Sequence, residues 1–137
     1  MEKQEKVIDA SVMVKWFLNE ENSNEAISLK KSFLKGELTL IAPDLIISEV
    51  LNSLRYNKQK EKELIFANKM LWRLSLKLVR ANDEIMSKTI ENSLKYGITI
   101  YDSLYVSLAQ IYGTFLITAD KELYKIPNVI PLSKIYD

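Results

Sequence analysis

An α/β fold with a mostly parallel sheet of four or five strands flanked by helices is predicted by three observations. Short apolar runs alternate with longer stretches of helical periodicity. The segments between the runs are long enough to be crossover helices, which favours parallel pairing with right-handed connections. Gly (36, 97, 113) and Pro (43, 127, 131) occur only three times each, with no low-complexity segment or fixed-period repeat. The 137 residues, 1–137, therefore read as a single domain. A chain of this length buries roughly two thirds of its unfolded surface without disulfides or structural metal.

The elements follow in order. Lys6–Asp9 reads as a strand and Val12–Leu18 as a helix. A second helix covers Asn24–Lys35 and stops near Gly36, followed by a strand at Leu38–Ala42. Pro43 suits the first turn of a helix over Asp44–Asn57. The charged turn Lys58–Lys62 leads into a further helix that ends at about Leu74. Leu76–Arg80 alternates in polarity and reads either as a short strand or as a helix-to-helix connection. A helix begins at Asn82-Asp83-Glu84 and stops at Gly97, and another runs over Thr99–Tyr112 and stops at Gly113. Phe115–Thr118 is a buried strand, and Val129–Leu132, broken by Pro131, is an edge strand.

Composition excludes whole classes of chemistry. With no Cys there is no disulfide framework, zinc ribbon or thiol nucleophile, and with no His the Ser-His-Asp and His-zinc sites go too. Carboxylates, hydroxyls, Lys and Arg remain, and oxygen-only ligands favour Mg²⁺, Mn²⁺ or Ca²⁺. The charged start, Met1–Lys6, lacks the apolar core of a signal peptide, and no stretch has the length of a membrane span, so a cytoplasmic protein is expected. Nineteen basic and 18 acidic residues leave a formal charge of +1, which names no partner class.

Four of the 18 acids stand out by position. Asp9 and Asp120 each end an apolar strand, and ligands of parallel α/β sheets bind at the carboxyl ends of strands. Asp102 shares a helical stripe with Val106, Ala109 and Gly113, whose small apolar side chains suit close packing on a sheet. Glu49 borders an apolar helix face, on a stripe with Leu45, Asn52 and Tyr56. A capping role is open for three of them: Asp9 before its helix, Asp120 before Lys121–Lys125, and Asp102 in a capping-box pattern with Thr99. Taken as a set, acids converging on one sheet edge raise each other's pKa unless cations hold them. Two divalent ions bridged by carboxylates are an established solution for in-line phosphodiester cleavage. A noncatalytic interaction module with acids as caps is the competing reading. A phosphoacceptor site fits less well, since no second Asp lies two residues after Asp9.

In order and spacing four motifs resemble the PIN-domain ribonucleases, and among them the small VapC-like toxins of toxin–antitoxin pairs. They are Val7-Ile8-Asp9-Ala10-Ser11; Ala42-Pro43-Asp44 with Ser48-Glu49-Val50-Leu51-Asn52; Ile98-Thr99-Ile100-Tyr101-Asp102-Ser103-Leu104-Tyr105 with Ala109; and Leu116-Ile117-Thr118-Ala119-Asp120. The resemblance runs from Val7 to about Leu132. It implies a PIN-like three-layer fold and Mg²⁺ (or Mn²⁺) held by Asp9, Glu49, Asp102 and Asp120 for RNA cleavage. Ser11 and Thr118 match hydroxyl positions that orient ligands or water, and Asn52 matches a polar position one turn after the Glu. Glu122 is the sole candidate for the further acid some relatives carry. An antitoxin partner and a homodimer are also implied; an apolar helical surface that includes Leu71 and Trp72 suits the latter, and core packing explains those residues equally well. A housekeeping RNA-processing nuclease without an antitoxin uses the same chemistry.

For the RNA substrate, Lys15 in the helix after Asp9 is a candidate phosphate contact, while Trp16 and Phe17 read as core or interface. Arg55–Lys62 carries four basic residues against one acid, so Arg55 and Lys58 are further candidates and Tyr56 is placed to stack on a base. A solvated interhelical turn accounts for the same residues.

Overall fold

The computed structural model describes residues 4–136. Among the described residues five strands form one sheet: β1 (Gln4–Ile8), β2 (Leu38–Pro43), β3 (Lys77–Val79), β4 (Leu116–Thr118) and β5 (Val129–Pro131). Their order is β3-β2-β1-β4-β5 and every pairing is parallel. The helices are α1 (Ala10–Met13), α2 (Ser23–Leu34), α3 (Leu45–Tyr56), α4 (Glu61–Arg73), α5 (Asp83–Tyr96) and α6 (Ile100–Ile111). They flank the sheet in the expected three-layer arrangement. Val7, Ile8, Leu40, Ile41, Leu116 and Ile117 form the buried centre of the core, as runs buried on both faces of a parallel sheet must.

Strand order determines where a site can form. From the central β1 the chain steps to β2 and β3 on one side, then returns to β4 and β5 on the other. The carboxyl ends of β1 and β4 therefore flank a topological switch point, where the connections leave in opposite directions and open a crevice. Val7 pairs with Leu116 and Ile8 with Ile117. Extending that register by one residue sets Asp9 beside Thr118, on the same face of the sheet.

Across β1, β2 and β4 lies α6, buried continuously from Ser103 to Ala109, with α5 packed on it. The two helices meet through polar groups: Asn92 Nδ2 donates to Ser107 Oγ (2.9 Å) and to Gln110 Oε1 (2.8 Å), and Ser103 Oγ donates to the Thr89 carbonyl (2.6 Å). Such satisfied buried groups fix one helix register. Asn82 caps α5 by accepting the Ile85 N–H at 2.8 Å, and Gly97 ends it in the left-handed region at φ 64°.

Several boundaries differ from the sequence expectation. Leu76–Arg80 does contain a strand, β3, which completes five. Pro43 is the last residue of β2 rather than part of a helix; it pairs with Val79 at the strand end, where its missing N–H interrupts no ladder, and Asp44 N–H donates to the Val79 carbonyl instead. The helix expected at Val12–Leu18 begins earlier, at Ala10, because the Asp9 carbonyl takes the Val12 and Met13 N–H groups; it tightens into a 3₁₀ turn over Val14–Trp16. Pro131 lies within the edge strand, and Leu132 already starts another 3₁₀ turn. No helix among the described residues is long and apolar enough to cross a membrane.

Candidate active site

Asp9 is the centre of the switch point. It immediately follows β1 and is only 6% exposed, an expensive place for a carboxylate unless each oxygen has a donor. Ser11 Oγ donates to Oδ1 at 2.5 Å and Thr118 Oγ1 donates to Oδ2. Those hydroxyls are themselves held, since Ser11 Oγ accepts the Ala119 N–H (2.9 Å) and Thr118 Oγ1 accepts the Asp120 N–H (3.0 Å). Asp9 occupies the N-cap position of α1, where the Val12 N–H donates to its backbone carbonyl and lies near enough to its carboxyl to act on it, while the hydrogen bonds of the carboxylate itself come from Ser11 and Thr118. Burial pushes its pKa up to about 6 against the pull of the two hydroxyls and the Val12 N–H, and the Asp102 charge pushes the same way.

The other acids arrive from separate elements. Asp102 lies in the first turn of α6, where Thr99 Oγ1 accepts its backbone N–H at 3.0 Å and the helix dipole favours a negative charge. Its pKa is raised by burial first, then by Asp120 and by Glu122, with Thr99 opposing. Glu49, half-buried on α3, receives a 2.5 Å hydrogen bond from the Tyr105 hydroxyl; burial raises its pKa first, Tyr105 opposes, and Asp102 adds to the rise. Asp120 follows β4 and takes the Glu122 N–H on Oδ1 at 3.0 Å, so the capping role does hold for this acid.

Asp102 is thus the hub: it raises both Asp9 and Glu49 and is raised by Asp120 and Glu122. Among the described residues, the charges that raise these three carboxyls come from other acids. An oxygen-only set of mutually repelling carboxylates fits a hard divalent cation in its donor chemistry. It is not closed around a point, however, because among the described residues no group of three acids stands close enough to hold a metal ion.

The remaining expected residues divide. Ser11 and Thr118 are in the site through Asp9. Asn52 is exposed on α3 one turn beyond Glu49, and lines a surface cavity with Ser48, Leu51 and Arg55. Arg55 is six residues past Glu49, about 9 Å along the helix axis. Lys58 is exposed in the turn that follows. Lys15 is buried and its Nζ lies 3.4 Å from Glu20 Oε1, so the cation is engaged within the fold. Trp16 belongs to the core, donating from Nε1 to the Ala26 carbonyl (2.9 Å). Leu71 is fully buried and so leaves the proposed apolar surface, whereas Trp72 is 57% exposed, and Ile65 and Phe66 on the same helix are exposed as well.

Two residues were missed by reasoning from sequence. Tyr105 is buried and held in the protonated form, its pKa raised by burial, by the Glu49 hydrogen bond and by the neighbouring acids. Its position one turn after Asp102 was the available signal. Tyr124 is raised by burial and then by Asp120, Asp9 and Glu21, which sets it beside the acids; four residues after Asp120, it carried no signal of its own.

Comparison with known proteins agrees with this architecture. The family model for the PIN domain matches residues 6–129. A curated relative, Ribonuclease VapC3 of Pyrobaculum aerophilum, is 31% identical over 122 residues, which covers 85% of this chain and 90% of the relative. In fold, the chain is similar to Mycobacterium tuberculosis VapC20, a sarcin-ricin-loop-cleaving toxin (TM-score 0.71, 9% identity, 90% of this chain and 96% of the other). It is also similar to a chain of a toxin-antitoxin complex from Klebsiella pneumoniae (TM-score 0.67, 15% identity, 93% and 97%).

Proposed function

This chain belongs to the PIN-domain family as a VapC-like ribonuclease, and from that premise we propose that it is a Mg²⁺- or Mn²⁺-dependent endoribonuclease acting as the toxin of a toxin–antitoxin pair. The observation that carries the reading is the buried, doubly hydrogen-bonded Asp9 with Asp102 as the hub of the surrounding acids. Asp9, Glu49, Asp102 and Asp120 would hold the cation. When bound, it supplies a strong nucleophile from water and charge stabilisation at the phosphate.

Everything else in the mechanism belongs to the chain. Ser11 and Thr118 hold both oxygens of Asp9 in one orientation, so the acid meets its ligand without reorganising. Asp120 is tied to the same unit through its own N–H, so the β4 end moves with the β1 end. The Tyr105 hydroxyl donates to Glu49. Arg55 and Lys58, on the exposed end of α3 and the turn beyond it, would contact RNA phosphates and offset the repulsion between the acids and the substrate. Asn52 and Lys15 take lesser roles, Lys15 only once released from Glu20. A copy of this chain would pair through the exposed Phe66 and Trp72 surface, and the inhibitor would be a small antitoxin protein.

Cleavage of single-stranded and structured RNA by the wild type, Asp9→Asn and Asp102→Asn tests this reading. Activity is expected in Mg²⁺ or Mn²⁺, lost in EDTA and reduced at least about 10²-fold in both variants. Activity that survives EDTA, or both substitutions, overturns the mechanism. A small reading frame upstream whose product blocks cleavage supports the toxin role; its absence favours RNA processing.

A further inference from the structure

We propose that Tyr105 is the positioning residue for Glu49, gripping the carboxylate by Oε1 and leaving Oε2 for a ligand at the acidic edge. The hydroxyl donates over 2.5 Å between residues 56 positions apart in sequence, from a ring that is only 2% exposed and therefore fixed by packing. It is the one side-chain hydrogen bond to Glu49 among the described residues. A half-buried glutamate without such an anchor samples several rotamers, and ordering it on binding costs entropy. Tyr105 lies one turn after Asp102 on α6, so the helix that carries the hub of the acidic set also holds the acid delivered by α3. A phenol is protonated at neutral pH, so Tyr105 offers Glu49 a donor rather than one more anion.

The ligand role rests on the divalent-cation reading above; the grip itself does not. The test uses the full chain with Tyr105→Phe, which keeps the ring and removes the donor. In metal-free protein labelled with ¹³C-glutamate, the Glu49 carboxyl resonance, assigned through Glu49→Gln, is expected to move in Tyr105→Phe. By electron paramagnetic resonance titration, Mn²⁺ affinity is expected to fall about tenfold in Tyr105→Phe, within the range for outer-shell partners. In a Glu49→Gln background the same substitution is expected to change affinity less than twofold. Glu49→Gln gives the reciprocal readout from a half-buried position: the Tyr105 ring resonance is expected to move when its acceptor is weakened. An unmoved Glu49 carboxyl resonance overturns the proposal, as does an equal loss of Mn²⁺ affinity in both backgrounds. If the wild type binds no Mn²⁺, the cation reading of the site fails, while the carboxyl resonance still decides whether Tyr105 holds Glu49.

Discussion

A carboxylate as buried as Asp9 reports on what the protein is built to bind. Its native pKa of about 6 lies above the unfolded value of 3.8, so the folded state binds the proton more tightly than the unfolded chain. The contribution of Asp9 to the stability of the metal-free protein is therefore fully present below pH 3.8 and is lost as pH rises through about 6, by on the order of 3 kcal/mol. Melting temperature measured between pH 4 and 8 should show this fall in the wild type and lose it in Asp9→Asn, which is expected to be more stable at pH 7 yet inactive. An unchanged pH profile in Asp9→Asn would count against the burial cost. Thr118→Val keeps the shape of a buried side chain but removes one donor to Asp9 and the acceptor of the Asp120 N–H. About 1–3 kcal/mol of stability should go with it, together with a fall in kcat at little change in KM for RNA; an unaltered kcat would release Thr118 from the site. The four acids were legible in sequence because strand ends and a helix stripe are local patterns. The Tyr105 grip was not, because it joins helices that only the tertiary fold brings together.

Among the elements, α6 links core to site, with a buried body and a first turn that carries Asp102. Its register is set from behind by Asn92 of α5, which bridges Ser107 and Gln110. Asn92→Ala is expected to lower stability by about 2 kcal/mol in denaturant unfolding, through the partners it strands. Gly97 ends α5 at positive φ with nothing within 4 Å of where a Cβ would stand. Gly97→Ala should thus cost only the backbone term, about 1 kcal/mol, and leave cleavage unchanged. Helices with clear stop signals, such as those before Gly97 and Gly113, were legible to within a residue or two. Strand β3 was ambiguous for a physical reason: it has three residues, its first, Lys77, is exposed, and its partner β2 supplies the pairing. Pro43 misled because a proline suits the last residue of a strand as well as the first turn of a helix.

For the whole molecule, function depends on a topology that gathers distant residues. Asp9 and Asp120 are 111 positions apart, yet the β1–β4 pairing sets them at one switch point. The near-neutral total charge of +1 is compatible with an RNA-directed site, because clustered acids and the basic end of α3 cancel in the sum. A protein with this edge should be stabilised by its cation: at a hundred times the dissociation constant, Mn²⁺ adds about 2.7 kcal/mol, seen as a rise in melting temperature that Asp102→Asn removes. The most direct test strips the purified protein of metal, adds Mn²⁺ back stepwise, and measures bound Mn²⁺ and single-turnover RNA cleavage in the same samples. The two curves are expected to rise together in the wild type and both to stay flat in Asp102→Asn. Full cleavage before any Mn²⁺ is bound, or a wild-type rate in Asp102→Asn, would contradict the assignment of this acidic edge as the reaction centre.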